Sequence, residues 1–372
     1  ALDMLLQIPG LRLQSSNGGN SRRGFGQANE NVLLNGARLS SKSDSAQDQL
    51  RRIPAEKVIR IEILDGSKID VPGFVGLVAN VIVQPGSISG QFRLEGSLRT
   101  NGVDPELYGG ELSFSGKIDE FSFVVAVENN NRRFGGLGSS TFKDGLGRLI
   151  ESRDLKQEGS FDLPRISAFL TYDFLSGTRL NLNGYLGHTF FKDAEEQEGE
   201  LSTGVYVLRQ NTKRGSTPEY EVSGDINFNI GSSRLKLIGL ASYDADETIS
   251  SIFELRPAEN RDSGERFIQT GAQKEKIGRA EYNWSMLGAD WQLAGEAAFN
   301  RLERDSQLFR LSGPSVFTEV PFPSGSGNVT EDRYEMIASL NRILTPELVL
   351  QASIGGEYSR IRQTGNAANS RS

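Results

Sequence analysis

From residue 88 onward, apolar and polar residues alternate with a period of two in one segment after another. In one segment the leucines at 180, 182 and 186 alternate with Arg179, Asn181 and Asn183. Such alternation is typical of a β-strand with one apolar face. The segments run for about ten residues or more, which exceeds the five or six common in β-sandwiches and suits a transmembrane strand of ~9–11 residues. The pattern therefore predicts an antiparallel transmembrane β-barrel.

Short and long connections also alternate along this part of the chain. Short turn signals fall at 116–120, 175–178, 231–233, 287–289 and 344–346. The segments between them, near 132–160, 192–218, 248–272 and 303–330, are rich in Gly, Ser, Asn and charged residues. Outer-membrane barrels have short periplasmic turns and longer extracellular loops. We therefore expect extracellular loops in those segments and about eleven strands, the first over 88–99 and the last over 347–361.

The first 84 residues follow a different pattern. An apolar stripe with helical spacing in residues 2–8 ends at Pro9-Gly10, and residues 48–53 can form a helical turn before Pro54. Short apolar segments at 31–34, 58–64 and 79–83 are typical of strands. Asn35-Gly36 is a tight-turn signal because both residue types tolerate positive φ. This segment is predicted to be a small mixed α/β unit.

The order of motifs in this unit resembles that of the plug domain of TonB-dependent outer-membrane receptors. The matching pieces, in order, are a helix followed by IPG, then RRGFG, NVLLNGARL, RIPAEKVIRIEILDG and GLVANVIV. The resemblance implies a mainly β protein with a plug domain over 1–84 and the N-terminal part of a barrel over 88–372, holding about 11 of 22 strands. We expect the barrel to be interrupted in an extracellular loop.

One departure from the family pattern concerns charge. Family members usually carry Arg-Gly-Pro after the strand that corresponds to 58–64, and this chain has Asp65-Gly66-Ser67. The arginine of the family's RGF motif corresponds to Arg23. Candidate residues for a latch between plug and barrel are therefore Arg22, Arg23, Glu62 and Asp65.

Composition excludes several kinds of chemistry. The chain has no Cys and a single His, so disulfides, thiolate metal sites and histidine-based catalysis are not expected. A net charge of −7 argues against nucleic-acid binding. No nucleotide-binding or hydrolase motif is present. We therefore predict no catalytic residues, no metal site and no cofactor, and the protein is not expected to be an enzyme.

The resemblance implies a receptor in the bacterial outer membrane that binds a scarce solute, such as a siderophore, and imports it into the periplasm. The implied partners are outer-membrane lipid, the small-molecule substrate, and TonB with its inner-membrane motor, which would act through a box missing from this chain. Candidate ligand-facing residues are Gln27, Asn29, Ser41 and Lys42 at the plug apex and Arg132, Arg133 and Phe134 in a loop. A ligand-sensing signalling receptor and a non-transporting structural outer-membrane protein remain alternatives.

Overall fold

The computed structural model describes most of the chain. The described residues are 1–9, 11, 31–38, 46–65, 77–84, 88–99, 102–257, 262–313, 316–322, 325–345 and 348–365.

The described part of residues 1–84, which we call the N-terminal unit, contains a small mixed sheet and short helices. Its elements are α1 (Leu2–Leu6), β1 (Val32–Leu34), β2 (Ala37–Arg38), α2 (Ala46–Arg51), a 3-10 turn (Ala55–Lys57), β3 (Val58–Asp65) and β4 (Leu77–Val83). The strand order is β2-β1-β4-β3, with β1 parallel to β4 and the other pairs antiparallel. Asn35 and Gly36 connect β1 to β2 with φ of 48° and 77°, so the predicted tight turn is confirmed.

The core of the N-terminal unit contains the apolar residues that the helical and strand patterns predicted. Leu5 of α1, Leu50 of α2 and Val81 of β4 are almost fully buried and belong to one cluster. The amino group of Ala1 donates a hydrogen bond to the carbonyl oxygen of Ile53 at 2.6 Å, which joins the two helices near their ends. Neither helix has the length and apolar character that a membrane crossing by a helix would require.

The rest of the described chain forms one large antiparallel sheet. Its strands are β5 (Ser89–Ser97), β6 (Glu106–Ile118), β7 (Phe121–Lys143), β8 (Leu149–Asp173), β9 (Arg179–Leu201), β10 (Tyr206–Ile230), β11 (Ser233–Leu255), β12 (Ser263–Met286), β13 (Ala289–Gly313), β14 (Val316–Val320), β15 (Gly327–Thr345) and β16 (Leu348–Gly365). Eleven of them follow one another in chain order across the sheet, and the short β14 pairs with β13 outside this path. Among the described residues β5 and β16 do not pair with each other, so the sheet is open. The predicted mainly β, incomplete barrel-like architecture of about eleven strands is confirmed.

The two faces of the large sheet differ in polarity and in what covers them. Val124 and Phe169 pack into the core of the N-terminal unit, and we call the face that carries them the inner face. On β9 the inner residue Asn181 is 3% exposed, whereas the outward Leu186 is 60% exposed. The polar residues predicted on alternate positions therefore point inward, and the leucines point outward.

The segments predicted as long extracellular loops are strands in the structure, so that prediction was wrong. Strands β7 to β13 extend far beyond the segments in which apolar and polar residues alternate. Tight connections join β7 to β8 at residues 144–148 and β9 to β10 at residues 202–205. The ladder hydrogen bonds join backbone groups, so pairing continues where the side chains become polar on both faces. Hydropathy marks only the part of a strand that faces an apolar medium.

The short turns lie together at one end of the sheet, which we call the turn end. Asp119 and Leu287 occupy these turns with φ of 49° and 57°. Large aromatic residues lie beside them on the outer face, and the rings of Trp284 and Trp291 stack with their centroids 6.3 Å apart. Aromatic residues at this position are typical of a membrane-interface girdle. We call the opposite end of the sheet the far end.

Candidate solute-binding wall and its link to the N-terminal unit

A buried ion-pair cluster joins the N-terminal unit to the large sheet. Arg52, which follows α2, is only 4% exposed, and its guanidinium lies 3.3 Å from Glu111 of β6 and 3.5 Å from Glu128 of β7. The two carboxylates are inner-face residues directly opposite each other in the register. Removing one partner of a buried ion pair leaves an uncompensated charge, so these three residues hold the unit in a defined position.

Of the predicted latch candidates, Glu62 makes its contacts within the N-terminal unit. Glu62 accepts hydrogen bonds from Arg60 at 2.8 Å and from Asn80 at 2.9 Å, all within the small sheet. The bonds from Arg60 and Asn80 lower the pKa of the Glu62 carboxyl below its ordinary value. Asp65 ends β3 and pairs with Leu77 in the backbone register. Arg22 and Arg23 lie outside the described residues.

Sequence reasoning missed Arg52 because nothing marks it as different from the neighbouring Arg51. The available signal was its position between Leu50 and Ile53, two residues of the core cluster. A charged residue enclosed by core positions is rarely buried unless it has a partner.

An aromatic patch covers part of the inner face beyond this cluster. The rings of Phe134 on β7 and Phe191 on β9 stack with centroids 6.1 Å apart. Phe161 of the intervening strand is directly opposite Phe191 and also opposite Arg132. The ammonium of Lys213 lies 5.7 Å from the centre of the Phe191 ring. We call these five residues the aromatic wall.

Arg132, Arg133 and Phe134 lie on strand β7 and not in a loop. Arg132 and Phe134 share the inner face with Glu128. Arg133 points outward, where it is largely buried and pairs with Asp162 at 3.1 Å. The predicted plug-apex residues Gln27, Asn29, Ser41 and Lys42 lie outside the described residues.

The aromatic wall is close to the Arg52 cluster. Glu128 and Arg132 are four residues apart on the same face of one strand, and the rise of ~3.3 Å per residue separates them by about 13 Å. A solute bound at Arg132 would therefore lie about 13 Å from Glu128, one of the residues that hold the N-terminal unit.

A chain of alternating charges crosses the inner face nearer the far end. Glu151 of β8 accepts hydrogen bonds from Arg153 at 2.7 Å and from Arg209 at 2.5 Å. Arg209 of β10 also donates to Glu254 of β11 at 2.9 Å, and Arg256 donates to Glu254 at 2.9 Å. We call these five residues the charge ladder.

Gly199 of β9 allows the charge ladder to form. A Cβ atom at this position would lie 2.5 Å from Glu151 Oε1 and 3.3 Å from Arg209 Nη1. Glu151 therefore reaches Arg209 across the intervening strand because that strand has no side chain at the crossing.

The ladder favours the ionised form of its two carboxylates. The hydrogen bond from Arg153, joined by that from Arg209, lowers the pKa of the Glu151 carboxyl despite its burial. Burial opposes ionisation of Glu254, yet hydrogen bonds from Arg209 and Arg256 outweigh it and lower its pKa. In the described part of the chain, no group of three or more His, Asp or Glu side chains is placed to hold a metal ion.

Comparisons with known proteins identify the N-terminal segment. Residues 1–70 match the family model of the TonB-dependent Receptor Plug Domain. No curated protein sequence matches the chain. Proteins with this domain are receptors and transporters and not enzymes.

The solved structures with some similarity to the chain are described as receptors. The alcaligin outer-membrane receptor FauA from Bordetella pertussis is 12% identical, with a TM-score of 0.22, over 100% of this chain and 78% of that one. The ferric yersiniabactin uptake receptor FyuA from Yersinia pestis is 10% identical, with a TM-score of 0.17, over 90% and 81%. The siderophore receptor PirA from Acinetobacter baumannii is 8% identical, with a TM-score of 0.17, over 91% and 84%. TM-scores this low do not establish a common fold. The family match in the N-terminal segment, followed by the open antiparallel sheet, shows that residues 1–70 are the plug domain of a TonB-dependent receptor and that the chain is a protein of the bacterial outer membrane.

Proposed function

We propose that this receptor binds a scarce small molecule on the aromatic wall and imports it into the periplasm. The observation that carries the proposal is the position of the wall, which is on the inner face, is half-exposed, and borders the ion pairs of the plug. Siderophores and similar compounds are the proposed class of solute. The proposed domain division is a plug over 1–84 and a part of the barrel over 88–372.

The chemistry of the wall favours a planar or aromatic solute that carries negative charge. Stacked aromatic rings contribute roughly 0.5–1.5 kcal/mol beyond the burial of their surface. Arg132 and Lys213 flank the three rings and would attract anionic groups. Together these features discriminate against cations and against wholly aliphatic solutes.

Import would require that the plug move, and the Arg52 cluster opposes that movement. Breaking one side of a buried ion pair costs about 3–5 kcal/mol when the other charge stays buried. TonB and its inner-membrane motor are the proposed source of the work. Arg22, Arg23, Glu62 and Asp65 stay as proposed additional latch residues, and Gln27, Asn29, Ser41 and Lys42 stay as proposed solute contacts from the plug.

The wall can be tested by substitution of Phe191 together with Lys213. The double variant Phe191→Ala, Lys213→Ala in the full-length receptor should bind its solute at least tenfold more weakly, because it removes a stacking ring and a cation. Binding is measured by titration of purified receptor with candidate solutes, and uptake is measured in cells with labelled solute.

Phe190→Ala is the matched control, because this ring is the chain neighbour of Phe191 and points to the outer face. The proposal predicts unchanged solute binding in the control. Equal binding by the parent, the double variant and the control would exclude the aromatic wall as the solute site.

A further inference from the structure

Five cationic residues occupy outward positions at a similar level of the large sheet. They come from three strands and are Lys274, Lys276, Arg301, Arg360 and Arg362. Lys274 is directly opposite Arg301, and Arg301 is opposite Thr330, which in turn is opposite Arg362. The hydrogen-bonded register therefore places side chains from β12, β13 and β16 in one transverse row. We call the five residues the outer cationic patch.

Alternation along the strands establishes that the patch faces outward. Ile277 of β12 and Arg333 of β15 are buried on the inner face. Their strand neighbours Lys276 and Asp332 must point the other way, and Asp332 is opposite Arg360.

Most of the charge in the patch is unpaired. Arg301 forms an ion pair with Glu303 at 2.6 Å, and Lys274 lies over the ring of Tyr243. Lys276, Arg360 and Arg362 have no ion-pair partner within 4.0 Å among the described residues. Asp332 and Glu303 are the nearby carboxylates of the same face, so the cations outnumber them.

The patch lies where the apolar part of the outer face ends. Below it, toward the turn end, outward positions on β13 run from Trp291 through Leu293 to Phe299. That length matches the ~9–11 residues that cross the hydrocarbon layer, so Arg301 falls at the level of lipid headgroups. Periplasmic turns lie at the turn end, which places the patch on the extracellular side.

An apolar groove lies directly below the patch on the same face. It has a volume of about 850 Å³, and Tyr334, Met336 and Tyr358 form one wall while Leu237 forms the other. Its floor consists of small residues, among them Gly278 and Gly295, where a Cβ atom would meet no other atom within 4 Å. Crowding within the chain therefore does not explain these glycines. Glycine in a strand interior often marks a close approach by another molecule.

We infer that the outer cationic patch and the groove below it form one binding site for a phosphorylated, acylated lipid of the outer leaflet. The cations take the headgroup phosphates, and an acyl chain lies in the groove. The order of the two features, charge above and apolar surface below, is that of an amphiphile in the membrane. A free anion would use the cations and leave the groove unused.

The test uses the full-length receptor purified in a neutral detergent and titrated with diphosphorylated lipid A. The variant Lys276→Gln, Arg360→Gln, Arg362→Gln should bind about one hundredfold more weakly, because each cation near an anionic lipid contributes about 1 kcal/mol. The control Lys143→Gln, Arg148→Gln, Lys156→Gln removes the same charge from residues nearer the far end and should bind like the parent. Equal affinity of the first variant and the control would overturn the inference.

Three further measurements test the phosphate and groove components separately. The parent receptor should bind the dephosphorylated lipid far more weakly than the phosphorylated one, and this comparison needs no variant. Inorganic phosphate at the same phosphate concentration should not displace the lipid, whereas displacement would indicate a simple anion site. Gly278→Leu with Gly295→Leu should weaken lipid binding several-fold, and Gly136→Leu, which also has open space and lies outside the apolar part, should not. Unchanged binding after the groove is filled would exclude the acyl-chain contact.

Discussion

Two groups of cationic residues on opposite faces of the large sheet differ in whether they have partners within the chain. On the inner face, Arg209 lies between Glu151 and Glu254, and Arg52 lies between Glu111 and Glu128. On the outer face, cations such as Lys276 and Arg360 have no ion-pair partner among the described residues.

The difference follows from what each face contacts. The charges of the Arg52 cluster and the charge ladder are largely enclosed by protein, so they require partners within the chain. Outer-face charges at the end of the apolar part can reach headgroups or water, which replace an internal partner. An enclosed charge therefore needs a partner within the chain, whereas an exposed charge does not.

The largest expected effect comes from Arg52. Arg52→Met should lower the free energy of unfolding by about 3–5 kcal/mol, because it leaves Glu111 and Glu128 without their buried partner. Chemical denaturation of the receptor in detergent measures this. Arg60→Met is the matched control, because it removes an exposed arginine that pairs with Glu62, and it should cost no more than ~1 kcal/mol. Equal losses in both variants would contradict a special role for the buried cluster.

The stability of the region around the charge ladder should depend on pH, and this effect should be smaller than that of Arg52→Met. The pKa of Glu151 is lowered in the folded protein, so its contribution to stability is present above the ordinary value of 4.5 and is lost as pH falls through the folded pKa. The protection of backbone amides in β8 and β10 near the ladder, measured as the ratio of the intrinsic to the observed rate of hydrogen exchange at each pH, should therefore decrease on acidification.

Glu151→Gln provides the comparison for that measurement. The parent should exchange more slowly than the variant near neutral pH, and the two rates should converge well below pH 4.5. A difference that persists unchanged in acid would show that ionisation of Glu151 does not stabilise this region.

The smallest effect is expected for an exposed pair outside both clusters. Lys156 and Glu158 lie 2.6 Å apart with both side chains largely in solvent. Lys156→Ala should change the free energy of unfolding by less than ~1 kcal/mol, because water and salt screen such pairs. A larger loss of unfolding free energy would contradict the expectation that exposed ion pairs stabilise the protein less than enclosed ones.

Much of the fold was predictable because it depends on local pattern. Asn35-Gly36 predicted a turn that has the expected positive φ values, and the alternation of leucine and asparagine on β9 predicted which side chains are buried. The candidate site was less predictable. Arg132 and Phe134 were singled out from sequence, but their expected loop is a strand, and nothing in the local pattern separated them from the outward Arg133.

The sequence by itself determined the period-two segments, the positions of the short turns and the plug motifs, because each depends on residues close together in the chain. Only the tertiary structure decided which distant residues meet. Arg52 reaches Glu128, Glu151 reaches Arg209 across Gly199, and Lys274 shares a row with Arg362 through the register of four strands. Backbone hydrogen bonds set that register. The identity of a charged side chain therefore does not reveal which distant residue it will meet.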